Sequence, residues 1–123
     1  MGNPVVHFEV IGKDPQALQA FYQQAFDWQI EPSSGAGGVD YRLIHPKVPG
    51  GIDGGIGGPV NGYAGHVTFY VGVPDVEASL VAIERLGGRR MMGPDPVPGG
   101  PTIGLFTDPE DHVIGLVQID NAK

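Results

Sequence analysis

Two stretches of the chain alternate apolar and polar residues with the period of a β-strand, then switch to the period of a helix. In the first, Val5-Val6-His7-Phe8-Glu9-Val10-Ile11 puts His7, Glu9 and Ile11 on one face and Phe8 and Val10 on the other. Asp14 follows as an N-cap and Pro15 takes the first helical position, where its missing N–H costs nothing. Leu18, Phe21, Tyr22, Ala25 and Phe26 then form one helical stripe. In the second stretch, His66-Val67-Thr68-Phe69-Tyr70-Val71-Gly72-Val73 puts His66, Thr68 and Tyr70 on one face and Val67, Phe69 and Val71 on the other. Asp75 caps a helix whose Val76, Leu80, Ile83 and Leu86 form the buried stripe, and Gly87-Gly88 stops it.

The segments between these stretches also match. Trp28 to Glu31 reads as a short strand, residues 32–38 as a glycine-rich turn, and Val39 to His45 as a strand closed by Pro46. Residues 50–58 lack the Gly-Lys-Ser/Thr ending of a phosphate loop and read as a glycine-rich strand whose missing side chains allow a close approach. Arg89 to Met92 reads as a strand, residues 93–101 as a proline-rich loop, and Thr102–Thr107 and His112–Ile119 as strands joined by a turn. In that turn Asp111 suits the left-handed conformation. The order β-α-β-β-β therefore occurs twice, which predicts an α+β chain of two βαβββ modules. The predicted organisation is one domain over residues 1–123, with module one about 4–58, a linker about 59–65 and module two about 66–120. An approximate two-fold relation between the modules would bring His7 and His66 to one cavity.

Composition narrows the function. A formal charge of −7, with Arg89-Arg90 the one adjacent pair of cations, disfavours nucleic acid and anionic membrane surfaces as partners. The chain has no cysteine, which removes thiol nucleophiles, disulfides and thiolate metal sites, so any metal would sit on histidine, carboxylate and water. No apolar run is long enough for a membrane span or a leader, and a cytoplasmic location is the expectation. Hydrolase chemistry has no support: there is no Gly-x-Ser-x-Gly elbow, and Ser33, Ser34 and Ser79 fall in a turn and on a helix. His45 and His112 fall at strand or turn edges, where exposure is the simpler reading.

Val6-His7-Phe8-Glu9-Val10, Phe21-Tyr22, and the run Phe106-Thr107-Asp108-Pro109-Glu110-Asp111-His112-Val113-Ile114-Gly115 resemble the vicinal oxygen chelate superfamily. That superfamily includes glyoxalase I, extradiol dioxygenases and the fosfomycin- and bleomycin-resistance proteins. The resemblance implies paired βαβββ modules whose curved mixed sheets enclose a cavity, with helices outside, a small-molecule ligand and a homodimer. It also implies, in catalytic members, a divalent metal (Mn, Zn, Fe or Ni) on two histidines and a glutamate. His7, seven residues before Asp14, and His66, nine before Asp75, match the histidines, while Gly115 stands where the glutamate would be.

Two readings follow. In the first, a small organic ligand binds between the modules at an incomplete metal site, with Thr68 and Tyr70 touching it and Gly115 making room. In the second, His7 and His66 hold a divalent metal for a lyase, isomerase, transferase or dioxygenase, with Glu9 as the base. Glu9 itself would close the metal site only with difficulty, since residues two apart on a strand are offset by about 7 Å.

Overall fold

A computed structural model describes residues 2–33, 39–58 and 63–120 of the chain. Eight strands and two helices run in the order β1 (Val5–Ile11), α1 (Pro15–Phe26), β2 (Gln29–Ile30), β3 (Tyr41–His45), β4 (Gly54–Gly57), β5 (His66–Val73), α2 (Val76–Arg85), β6 (Arg89–Pro96), β7 (Thr102–Thr107) and β8 (Val113–Gln118). The fold is α+β with mixed strand pairing, and the β-α-β-β-β order repeats as the periodicity predicts. Residues 34–38 of the turn expected over 32–38, and residues 59–62 of the expected linker, lie outside the described residues. No helix among the described residues is long and apolar enough to cross a membrane.

The chain divides into two compact units, one of them His7–Val67 and the other formed by the residues on either side of it. Within His7–Val67 the strand order is β2-β3-β4-β1. β4 runs parallel to β1 and antiparallel to β3, with Glu9 opposite Gly55 and Leu43 opposite Gly55 on the other side. The core is Ile30, Ile44 and Ile56, packed by Phe8, Leu18, Tyr22 and Trp28. Asp14 accepts from the amide of Ala17 at 3.1 Å, the capping bond its position predicts. Of the α1 stripe, Leu18 and Tyr22 pack on this core, while Phe21 and Phe26 are exposed, with Phe21 against Tyr22 and Phe26 against Trp28.

The other unit has the order β5-β8-β7-β6, with β5 and β8 parallel and the remaining pairs antiparallel. Val73, Val76, Leu80 and Leu116 form its core, with Val71, Ile83 and Phe106 against it. Leu86, expected in the α2 stripe, is 81% exposed, since the helix ends at Arg85 and the chain turns away at Gly87. The strand expected to stop at Met92 runs on to Pro96, so the first part of the expected 93–101 loop is paired. β6 stands at the end of the strand order, where Pro94 and Pro96 remove no ladder donor that a neighbour needs, and two register shifts take up the irregularity. Asp111 has φ 69°, the left-handed conformation expected of it.

Burial separates two leucines of one helical pattern. Leu80→Ala should lower unfolding stability by about 2–5 kcal/mol, whereas Leu86→Ala should change it by less than about 0.5 kcal/mol. Urea denaturation of both variants reads the difference, and equal losses would contradict the described end of α2.

Candidate functional site

Alternation along β1 carries His7 and Glu9 to the same face, and Glu9 is 6% exposed. A buried carboxylate demands partners, and two tyrosines and two histidines of the unit His7–Val67 line up to provide them. Tyr41 Oη donates to Glu9 Oε1 at 3.0 Å, and His7 Nε2 lies 2.8 Å from the same hydroxyl. His66 Nε2 lies 2.6 Å from Glu9 Oε2, and Tyr63 Oη lies 2.7 Å from His66 Nδ1. The polar groups form one line: His7, Tyr41, Glu9, His66, Tyr63.

The partners of each group orient its hydrogen bonds. The hydroxyl proton of Tyr41 goes to Glu9, so His7 presents Nε2–H to the Tyr41 oxygen. His66 turns Nε2 to the carboxylate and Nδ1 to the Tyr63 hydroxyl, and in the Nε2–H tautomer Nδ1 accepts from that hydroxyl. Burial pushes the His7 imidazole below its ordinary value of 6.5, against the opposing pull of Glu9 and Asp53, which favours the neutral ring this assignment needs.

Glycine is what lets Tyr41 reach Glu9. Tyr41 lies two strands away, on β3, with β4 between. A β-carbon on Gly55 would overlap the Tyr41 ring and hydroxyl, so the bare backbone at Gly55 is the passage the phenol uses. Gly54 likewise takes the Phe8 ring, where a β-carbon would fall 2.5 Å from Cε1. The close approach expected over the glycine-rich strand is thus made by the protein's own rings.

Thr68, Tyr70 and Gly115 belong to the other unit. Thr68 is buried and its hydroxyl donates to the carbonyl of Val113. Tyr70 pairs with Gly115 across β5 and β8, and a β-carbon on Gly115 would lie 2.5 Å from the Tyr70 ring. The space left by Gly115 is taken by that ring.

These positions also test the donor set for a resident divalent metal. His66 and Glu9 face one another, but His7 is joined to Glu9 through the Tyr41 hydroxyl, and both strand glycines that might have carried a carboxylate are covered by aromatic rings. Among the described residues no group of three histidine or carboxylate side chains is arranged to hold a metal ion. The arrangement as it stands does not fit the histidine–histidine–glutamate site that the resemblance implies.

Sequence reasoning found His7, Glu9 and His66 but missed Tyr41 and Tyr63. Their contacts depend on a reach across β4 and on the path of the connection into β5. Gly55 was the available signal for the first. A second cluster was also missed: His45 has Nε2 at 2.6 Å from Glu31 Oε2 and Nδ1 at 3.1 Å from Asp53 Oδ2. His112, exposed as expected, bonds Asp108 of its own turn.

Repeated βαβββ units with parallel β1–β4 and β5–β8 pairs are the architecture of the vicinal oxygen chelate superfamily, to which this glyoxalase-like chain belongs. The chain belongs to the family described as glyoxalase-like domain, whose family model matches residues 7–117. Its fold is similar to that of a hypothetical protein from Bacillus halodurans, with TM-score 0.73 and 11% identity, covering 100% of this chain and 99% of that one. It is also similar to a variant of Streptomyces coelicolor methylmalonyl-CoA epimerase in complex with 2-nitronate-propionyl-CoA, with TM-score 0.70, 18% identity and coverage of 98% and 99%. Methylmalonyl-CoA epimerase from Mycobacterium tuberculosis matches with TM-score 0.64, 16% identity and coverage of 93% and 86%. No curated protein sequence matches the chain.

The two histidine environments predict opposite titrations. Hydrogen bonds to Glu31 and then Asp53 raise His45 above 6.5, so its stabilising contribution is complete below 6.5 and fades as pH rises through the raised midpoint. His7 is lowered by burial, so below 6.5 the unfolded chain takes a proton that the folded one refuses, and stability falls on acidification from 6.5 toward the folded midpoint. NMR titration of the imidazole C–H resonances should place His45 above and His7 below 6.5, and Glu31→Gln should bring His45 down. Coincident midpoints would contradict both environments.

Proposed function

We propose that the domain binds a small organic ligand against the Glu9 cluster and acts on it, where it acts, by proton transfer without a resident metal. The observation that carries this reading is Glu9, a nearly buried carboxylate whose two oxygens are each held by a donor from another part of the unit. Such a group is positioned before any ligand arrives, which is what general-base chemistry and oriented binding both need. A carboxylate held in place in this way suits a ligand that brings an O–H or an acidic C–H. Neutral His7, behind Tyr41, fixes the direction of the Tyr41 hydroxyl and through it the carboxylate plane. Support for a small organic ligand also comes from the epimerase structures of this fold, which were obtained with acyl-CoA compounds.

The alternative, a divalent-metal enzyme using His7 and His66, would require His7 to leave Tyr41 and turn to the His66–Glu9 pair. Calorimetry separates the two. Untagged, chelator-treated protein titrated with Mn²⁺, Zn²⁺, Fe²⁺ and Ni²⁺ should show no saturable site that depends on His7 and His66. The same protein should bind one or more members of a panel of hydroxyketones and catechols, and Glu9→Gln should weaken that binding about tenfold or more, the loss of a charge-assisted hydrogen bond. A saturable metal site abolished by His7→Ala and His66→Ala would overturn the reading in favour of the metal enzyme.

A further inference from the structure

The line of polar groups does not end at Glu9. It continues through His66 to Tyr63, and that end is the accessible one: Tyr63 is 37% exposed, while the side chains of His66 and Glu9 are 11% and 8% exposed. The spacing has a recognisable logic. A hydroxyl lies 2.7 Å from one nitrogen of an imidazole, and the other nitrogen lies 2.6 Å from a buried carboxylate. That is a nucleophile, a base and a group that orients the base, each within hydrogen-bond reach of the next. The carboxylate faces His66 Nε2, and in the Nε2–H tautomer this favours, Nδ1 is the acceptor aimed at Tyr63. The Tyr63 and His66 rings meet edge to face, with centroids 5.5 Å apart and an interplanar angle of 69°, which limits the swing of the phenol.

We infer that Tyr63, His66 and Glu9 form a reactive triad in which the Tyr63 hydroxyl exchanges protons with, or attacks, a carbonyl- or hydroxyl-bearing small molecule. In the proton-transfer step the ligand O–H or acidic C–H bond breaks and a new O–H bond forms at Tyr63. The proton Tyr63 held passes to His66 Nδ1, and the resulting imidazolium lies beside the Glu9 carboxylate. One proton moves from ligand to His66, and the reverse path returns it. With an acyl donor the same relay makes the phenol a nucleophile: the Tyr63 oxygen bonds to the acyl carbon, the bond to the leaving group breaks, and the phenolic proton reaches the leaving group through His66. Tyr63 is the group that meets the reactant. His66 is the base, and Glu9 orients it. The inference rests on the preceding reading only in using the same carboxylate.

N-acetylimidazole is the probe, since its acetyl group is transferred to tyrosine oxygen with release of imidazole. Peptide mass mapping after brief treatment of the folded full chain at neutral pH should find acetylation concentrated at Tyr63, ahead of Tyr22, Tyr41 and Tyr70. Its rate should exceed that of the same residue in the urea-unfolded chain by about a hundredfold, the lower range of general-base assistance. That comparison needs no variant. His66→Gln should return Tyr63 to the unfolded-chain rate, and Glu9→Gln should cut it by about tenfold or more while leaving the circular dichroism spectrum unchanged. Tyr63 reacting no faster folded than unfolded, or at the same rate in the wild type and in folded His66→Gln or Glu9→Gln, would overturn the triad. A reactive Tyr63 in a chain that binds none of the hydroxyketones or catechols would sink the ligand reading and leave the triad standing. Binding with an inert Tyr63 would do the opposite.

Discussion

The structure of the unit His7–Val67 turns on keeping one carboxylate out of water. Leaving a buried charge without partners costs about 3–5 kcal/mol, a large share of the stability of a domain this size. Glu9 meets that demand with Tyr41 and His66, and each of those needs a partner in turn, found in His7 and Tyr63. The result is a connected set of hydrogen bonds in which no buried side-chain nitrogen or oxygen among the described residues is left unmatched. Such a set is costly to disturb and so holds its members in one geometry. The backbone contributes an absence: without a side chain at Gly55, the Tyr41 hydroxyl has a straight path over β4 to Glu9.

Much of the fold was legible because it is local. Period-two and period-3.6 patterns, aspartate caps and a glycine stop are written into neighbouring residues, and the β-α-β-β-β order came from them. What was not legible was also physical. The α1 stripe is a correct helical pattern, but a pattern does not say how much of it a sheet covers, and Phe21 and Phe26 stay exposed. The proline-rich segment read as loop because proline suits edges and loops alike, and only the place of β6 in the strand order distinguishes them. For the site, His7 and Glu9 followed from alternation and His66 from the matching of the two modules. Tyr41 and Tyr63 did not follow, since a hydroxyl that crosses one strand or returns from a connection leaves no periodic trace.

The two units use the same device to different ends. In each, a glycine on the strand parallel to the first one gives up its side-chain volume to an aromatic ring: Gly55 to Tyr41 and Gly115 to Tyr70. Tyr70 stands on the strand paired with its glycine, while Tyr41 arrives from the strand on the other side, so its hydroxyl is carried onward to Glu9. A shared backbone architecture therefore leaves room for different side-chain arrangements.

The sign of the charge at the cluster decides what kind of ligand the proposed reading admits. Two neutral imidazoles and one carboxylate around a divalent cation would total about one positive charge, and such a site draws in anionic or electron-rich oxygens. With a tyrosine hydroxyl in the bridging place, the negative charge among these side chains is that of Glu9. A site of that sign repels a ligand carboxylate and rewards a ligand that donates a hydrogen bond or gives up a proton, and in a chain of formal charge −7 the longer-range field acts in the same direction.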